Sequence, residues 1–164
     1  MTTDGTTTDG TTVNSSTGGR PKLPSPELSL EVAQFYAWQM QRLDGDDFTG
    51  FAATFVADGL FLPAGGGELR GREAIEAASR GAAGRFHGAR PRHWFDMMTI
   101  EEADDGTVVT SYYAMVTVSP ARGPVLVEPT CFVRDTLTRT PEGLSSVSRA
   151  ITRDDLPARA TVAG

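Results

Sequence analysis

The chain has 164 residues, a net charge of −6 at pH 7 and a single cysteine, Cys131. That length suits one domain. The absence of any Lys/Arg cluster argues against nucleic acid as a partner, and no apolar run is long enough to cross a bilayer.

Residues 1–26 read as a disordered tail. Thr-Thr-Asp-Gly occurs twice, at Thr2–Gly5 and Thr7–Gly10, followed by Ser, Thr, Gly and Pro. A segment with so little apolar area to bury cannot offset the entropy of ordering it. Residues 27–155 form the expected domain, and residues 156–164 a flexible C-terminal tail. The N-terminus lacks the basic and apolar regions of a signal peptide. Cys131 has no cysteine partner for a disulfide or a metal site, so a cytoplasmic setting is expected.

The domain opens with a helix. Ser25 or Ser29 can cap it, Pro26 suits its first turn, and Leu28, Val32, Phe35, Tyr36, Gln39 and Leu43 follow helical spacing. Asp44-Gly45-Asp46-Asp47 ends it. A short second helix turns Phe48, Phe51, Ala52 and Phe55 inward. Leu60–Leu62 is a short strand, Pro63–Gly67 a loop, and Glu68–Arg70 pairs back. A third helix runs from Arg72 to about Ala83, with Ile75 and Ala78 on its inner side. Gly81–Pro91 reads as an exposed, mobile loop.

From His93 the pattern is β. His93–Glu102 leads into the turn Asp104-Asp105-Gly106. Thr107–Ser119 and Val125–Arg139 are long strands, the second interrupted at Pro129 by a bulge or bend, and Leu144–Thr152 follows. Three helices and then a meander of long strands give an α+β fold with helices on one face of a curved sheet. The interior of such a cone is a pocket.

This order of elements resembles the NTF2-like superfamily, in particular its SnoaL-like and scytalone dehydratase-like branch, over roughly Leu28 to Asp155. Three patterns carry the resemblance. Tyr36-Ala37-Trp38 runs into Asp44-Gly45-Asp46-Asp47-Phe48. Phe55-Val56-Ala57-Asp58-Gly59-Leu60-Phe61 is followed by Gly71-Arg72-Glu73-Ala74-Ile75. Arg92-His93-Trp94 opens the first long strand. The superfamily includes dehydratases, isomerases, cyclases and hydrolases alongside non-catalytic subunits, so the fold alone does not settle the function.

The resemblance implies a catalytic pair. His93 matches a general acid/base histidine, and Asp44 matches the aspartate that holds its imidazole. A neutral imidazole can accept a proton near pH 7, and a carboxylate on its other nitrogen fixes the tautomer. A surface histidine and a capping aspartate are the alternative. Tyr36 or Tyr113 can steady an enolate through its phenol. Since Tyr112 and Tyr113 are neighbours on a strand, only one of them points inward. Trp38, Phe61 and Trp94 are the expected apolar walls. Cys131 and Val133 stand where dehydratases carry polar substrate-binding residues, and Cys131 reads as a small core residue that borders substrate.

His87 is a solvated loop histidine or part of a lid. Arg85, Arg90 and Arg92 attract an acidic or carrier-bound substrate or simply solubilise their segment. Gly65-Gly66-Gly67 lacks the Lys-Ser/Thr of a phosphate loop. No metal and no cofactor is expected. Two functions follow. One is a cofactor-independent dehydratase or cyclase acting on an aromatic polyketide-like ketone. The other is a non-catalytic ligand-binding or assembly subunit. Both imply a homo-oligomer, dimer or trimer, formed through the convex sheet face.

Overall fold

The computed structural model describes residues 22–157; of the tails expected over 1–26 and 156–164, residues 1–21 and 158–164 lie outside them. The elements are α1 (Pro26–Asp44), α2 (Phe48–Ala53), β1 (Phe55–Leu62), β2 (Leu69–Arg70), α3 (Arg72–Ala83), a 3₁₀ turn (Gly84–Phe86), β3 (Arg90–Glu102), β4 (Val108–Ser119), β5 (Leu126–Val127), β6 (Cys131–Thr140) and β7 (Gly143–Arg153). Seven strands form one open, curved sheet in the order β2-β1-β7-β6-β4-β3, with β5 paired to β4. The pairs are antiparallel except for β1 with β7, which is parallel.

The ends of α1 follow from the sequence. Ser25 accepts a hydrogen bond from the Leu28 amide at 3.1 Å and is the N-cap. Ser29 instead turns its hydroxyl back onto the Ser25 carbonyl. Gly45 closes the other end through bonds to the carbonyls of Gln41 and Arg42. Asp47 then caps α2 by accepting from the Gly50 amide at 2.9 Å. A Cβ at Gly50 would displace the Asp47 carboxylate and the Arg42 guanidinium paired with it.

Two apolar clusters position the helices. Leu28, Val32, Phe35 and Tyr36 of α1 pack on Val108, Tyr112, Val133, Leu137 and Leu144 of the sheet. Met40, Phe51, Ala52, Phe55 and Ile75 form a second cluster, flanked by Phe61 and Phe95. Helix α1 runs antiparallel to β3. Asp44, at the helix end, meets His93 near the strand start, while Arg139 bridges Glu31 and Glu102 at the opposite ends.

Three expectations are corrected. Strand β1 begins at Phe55 rather than Leu60. Asp58-Gly59 sits in an irregular stretch of the strand, held by Arg72 Nε on the Phe55 carbonyl at 2.7 Å and the Gly71 amide on the Gly59 carbonyl at 2.8 Å. The Gly81–Pro91 segment is not an open loop. Ala82 and Ala83 extend α3, the 3₁₀ turn follows, and β3 begins at Arg90. Arg85 also pairs with Glu128 at 2.9 Å. The strand expected over Val125–Arg139 is two elements, because Pro129 cannot donate to the ladder and separates β5 from β6.

Candidate active site

A cleft of about 630 Å³ runs between α1 and the edge strand β3. Ala33, Ala37 and Gln41 line it from the helix, and Phe95, Met98 and Ile100 from the strand. A bulge in β3 makes this wall continuous. The register slips between Asp96 and Thr99, and Met97 adopts φ 53°. The slip lets Phe95 and Met98 face the helix although three positions separate them. Side chains in a regular strand alternate every two.

His93 and Asp44 meet at one end of the cleft. His93 Nδ1 lies 2.6 Å from Asp44 Oδ1, and the His93 amide donates to Asp44 Oδ2 at 3.1 Å. An ionised carboxylate accepts only, so Nδ1 is the donor here, and in the neutral ring Nε2 carries the lone pair. Nε2 has no hydrogen-bond partner among the described residues, and both side chains line the cleft. Because β3 is an edge strand, its outer amides lack a strand partner. Asp44 satisfies one of them and thereby anchors the helix end to the sheet.

The other expected residues divide. Tyr36 lines the cleft with its ring, but its hydroxyl is turned into the core. It donates to Asp135 Oδ2 at 2.9 Å and lies 2.5 Å from Thr110 Oγ1. Burial above all, and then the negative charge of Asp135, push its ionisation far above the ordinary tyrosine value. Tyr113 is 60% exposed on the outer face, beside Phe132. The inward neighbour is Tyr112, which is fully buried and donates to Asp135 Oδ2 at 3.1 Å. Trp94 lines the cleft mouth, yet is 54% exposed and donates across the outer face to Thr117 at 2.9 Å. Trp38 is exposed, with the Arg42 guanidinium stacked on its ring. Phe61 packs against the Phe55 cluster and Cys131 against the sheet core, and neither lines the cleft. Burial pushes the Cys131 thiol up, away from the reactive thiolate. His87 holds a left-handed backbone position after the 3₁₀ turn and is not part of the cleft wall.

Sequence reasoning missed the polar group behind the cleft floor. Arg149 Nε and Nη2 donate to Asp135 at 2.7 to 3.0 Å, and Nη2 also donates to Gln39 Oε1 at 2.6 Å. Gln39 in turn donates to Thr54 at 2.6 Å. Burial works against the Arg149 charge, but Asp135 outweighs it and holds the guanidinium protonated. The available signal was strand alternation. Asp135 falls in phase with Val133 and Leu137, so its carboxylate had to face the core. Among the described residues, no group of three or more His, Cys, Asp and Glu gathers as a metal site, and no helix is long and apolar enough to cross a membrane.

The family model for the SnoaL-like domain matches residues 26–150, from the first residue of α1 into β7. The chain belongs to the SnoaL-like family. Among solved structures, it is similar to Aln2 from a Streptomyces species, with 72% identity, a TM-score of 0.80, and 82% of this chain and 96% of that one covered. It is also similar to ActVI-ORFA from Streptomyces coelicolor at 36% identity and a TM-score of 0.73, covering 79% of this chain and 99% of that one. A Catenulispora acidiphila protein solved in complex with S-DNPA is 35% identical, with a TM-score of 0.73 and 80% and 96% of the two chains covered. No curated protein matches the sequence.

Proposed function

We propose that this SnoaL-like protein is a cofactor-independent dehydratase or cyclase acting on an aromatic polyketide-like ketone. The observation that carries the reading is the His93–Asp44 pair at the end of the cleft, with Nε2 left to act. Nε2 takes a proton from the carbon beside the substrate carbonyl. Asp44 holds the ring by Nδ1 and balances the positive charge it acquires. The ring then returns the proton to a departing hydroxyl. A C–H and a C–O bond break, a C=C bond forms, and water leaves. The carbonyl already acidifies the adjacent C–H bond, so the sequence needs no redox partner. Family membership, the volume of the cleft and the small-molecule complex of the Catenulispora relative support this reading.

His93→Ala and Asp44→Asn should remain folded and lose turnover of hydroxylated naphthalenone ketones, followed by the absorbance of the aromatised product. Full turnover in either variant would refute the mechanism.

A second reading, a ligand-binding or assembly subunit without catalysis, has one observation in its favour. The Tyr36 hydroxyl is committed to Asp135 and Thr110, and Tyr113 faces outward, so neither phenol is presented to substrate. Wild-type protein that binds the ketones but converts none of them would favour it. Either reading is compatible with self-association through the outer sheet face, where Trp94, Tyr113, Met115 and Phe132 lie exposed together.

A further inference from the structure

Arg92 lies next to the proposed catalytic pair and has no carboxylate partner among the described residues. Among the residues lining the cleft it is the one arginine or lysine. Its Nη1 donates to the Pro91 carbonyl at 2.7 Å and to the Asp44 carbonyl at 3.4 Å. These bonds pin the guanidinium at the helix end. They use one of its three nitrogens, and Nε and Nη2 have no partner among the described residues. A guanidinium carries five N–H donors in a fork that matches a carboxylate in two-point geometry. Of the two carboxylates lining the cleft, Asp44 is taken up by the ring and amide of His93, and Asp96 accepts from the Met97 amide at 2.7 Å.

The remaining wall sets the shape of what the arginine would hold. Ser29, Ala33 and Ala37 follow one another at four-residue intervals along the α1 side of the cleft, opposite Phe95, Met98 and Ile100. From Ser29 to Asp44 the helix rises about 22 Å. The volume of about 630 Å³ falls in the range of roughly 300 to 1,000 Å³ that holds drug-sized molecules. Set among Tyr36, Met40 and Gln41 of the same helix, these small side chains face the flat or flexible apolar ones of β3 and leave room for a slot between them.

Resting on the proposed acid/base function, we infer that the substrate is a flat, fused-ring acid. Its carboxylate sits on Arg92, its reacting carbon at His93 Nε2, and its rings lie between Ala37 and the Phe95–Met98 wall. Arg92 is then the residue that selects an anionic substrate, and Ala37 the residue that sets the thickness of the slot.

The test is equilibrium binding, read by quenching of tryptophan fluorescence, with 1,4-dihydroxy-2-naphthoate and its neutral carboxamide as probes. Wild-type protein should prefer the acid by roughly ten-fold, the size expected of a charged hydrogen-bonded pair partly exposed to water. Arg92→Gln should abolish that preference while keeping affinity for the amide. Ala37→Leu should weaken both probes, and because Ala37 is exposed it should leave the fold intact in circular dichroism. Equal binding of acid and amide by wild type, or a preference that survives in Arg92→Gln, overturns the assignment of Arg92. Unchanged binding in Ala37→Leu overturns the slot. His93→Ala should bind the acid within about two-fold of wild type and fail only in turnover. Loss of the proposed chemistry is thereby distinguished from loss of the anion site.

Discussion

Arg149 and Asp135 form a two-point ion pair in which the arginine side chain is 3% exposed and the aspartate fully buried. Both tyrosines of the core, Tyr36 and Tyr112, donate to the same Asp135 oxygen. Breaking one side of such a pair strands a buried charge, at a cost of about 3–5 kcal/mol. Asp135→Ala should therefore destabilise the protein by that amount in urea unfolding. The double replacement Asp135→Leu with Arg149→Met should cost less than the sum of the two single changes. Additive single and double effects would show that the pair does not act as a unit.

The tyrosine hydroxyls make stability depend on alkaline pH. Burial, opposed by Arg149 and aided by Asp135, also holds Tyr112 well above its ordinary value. In the unfolded chain both phenols ionise near 10. The folded values are raised, so the folded state keeps protons that the unfolded state loses. The stabilisation is complete below pH 10 and declines as the pH rises beyond it. Urea midpoints for wild type should fall steeply above pH 10. The Tyr36→Phe and Tyr112→Phe double variant, although weaker at pH 7, should show a flatter decline. Parallel curves would contradict this linkage.

Asp44 serves two chemical ends, and two substitutions separate them. Asp44→Asn can still accept from the His93 amide but removes the charge beside Nδ1. It should cost at most about 1 kcal/mol of stability and, on the proposed mechanism, about 10²-fold or more in kcat. Asp44→Ala also leaves the edge amide unpaired and should be the less stable of the two. Denaturation midpoints and kcat of both variants, measured side by side, test the separation.

Cys131 provides a control. With its thiol ionisation raised by burial, the side chain is a poor nucleophile at neutral pH. Cys131→Ala should keep kcat within about two-fold, and iodoacetamide at pH 7 should leave activity intact. Inactivation by stoichiometric alkylation would require a role for the thiol.

The outer face yields a prediction on assembly. Tyr113 and Phe132 sit opposite one another on neighbouring strands, their ring centroids 6.1 Å apart, and both are exposed. If this face joins copies of the chain, Phe132→Glu should lower the mass measured by sedimentation while leaving the monomer's circular dichroism unchanged. A wild-type protein that sediments as a monomer at high micromolar concentration would refute self-association through it.

The sequence by itself determined the local events. The start of α1 at Ser25, one of the two caps on offer, the stop at Asp44-Gly45 and the turn at Asp104-Asp105-Gly106 depend on neighbouring residues and stand where the pattern put them. His93 and Asp44 were singled out by the family resemblance, and that their side chains meet is a contact across 49 residues that the fold supplies. What only the tertiary structure decided was direction and partnership. Which of Tyr112 and Tyr113 turned inward depended on the register of β4 against β6. The bulge at Met97 that aligned Phe95 with Met98 left no glycine or proline to announce it. The fate of the Tyr36 hydroxyl depended on Thr110 and Asp135, 74 and 99 residues away. A buried polar group must find its partner wherever the fold brings one, and that search is settled by packing rather than by sequence neighbours.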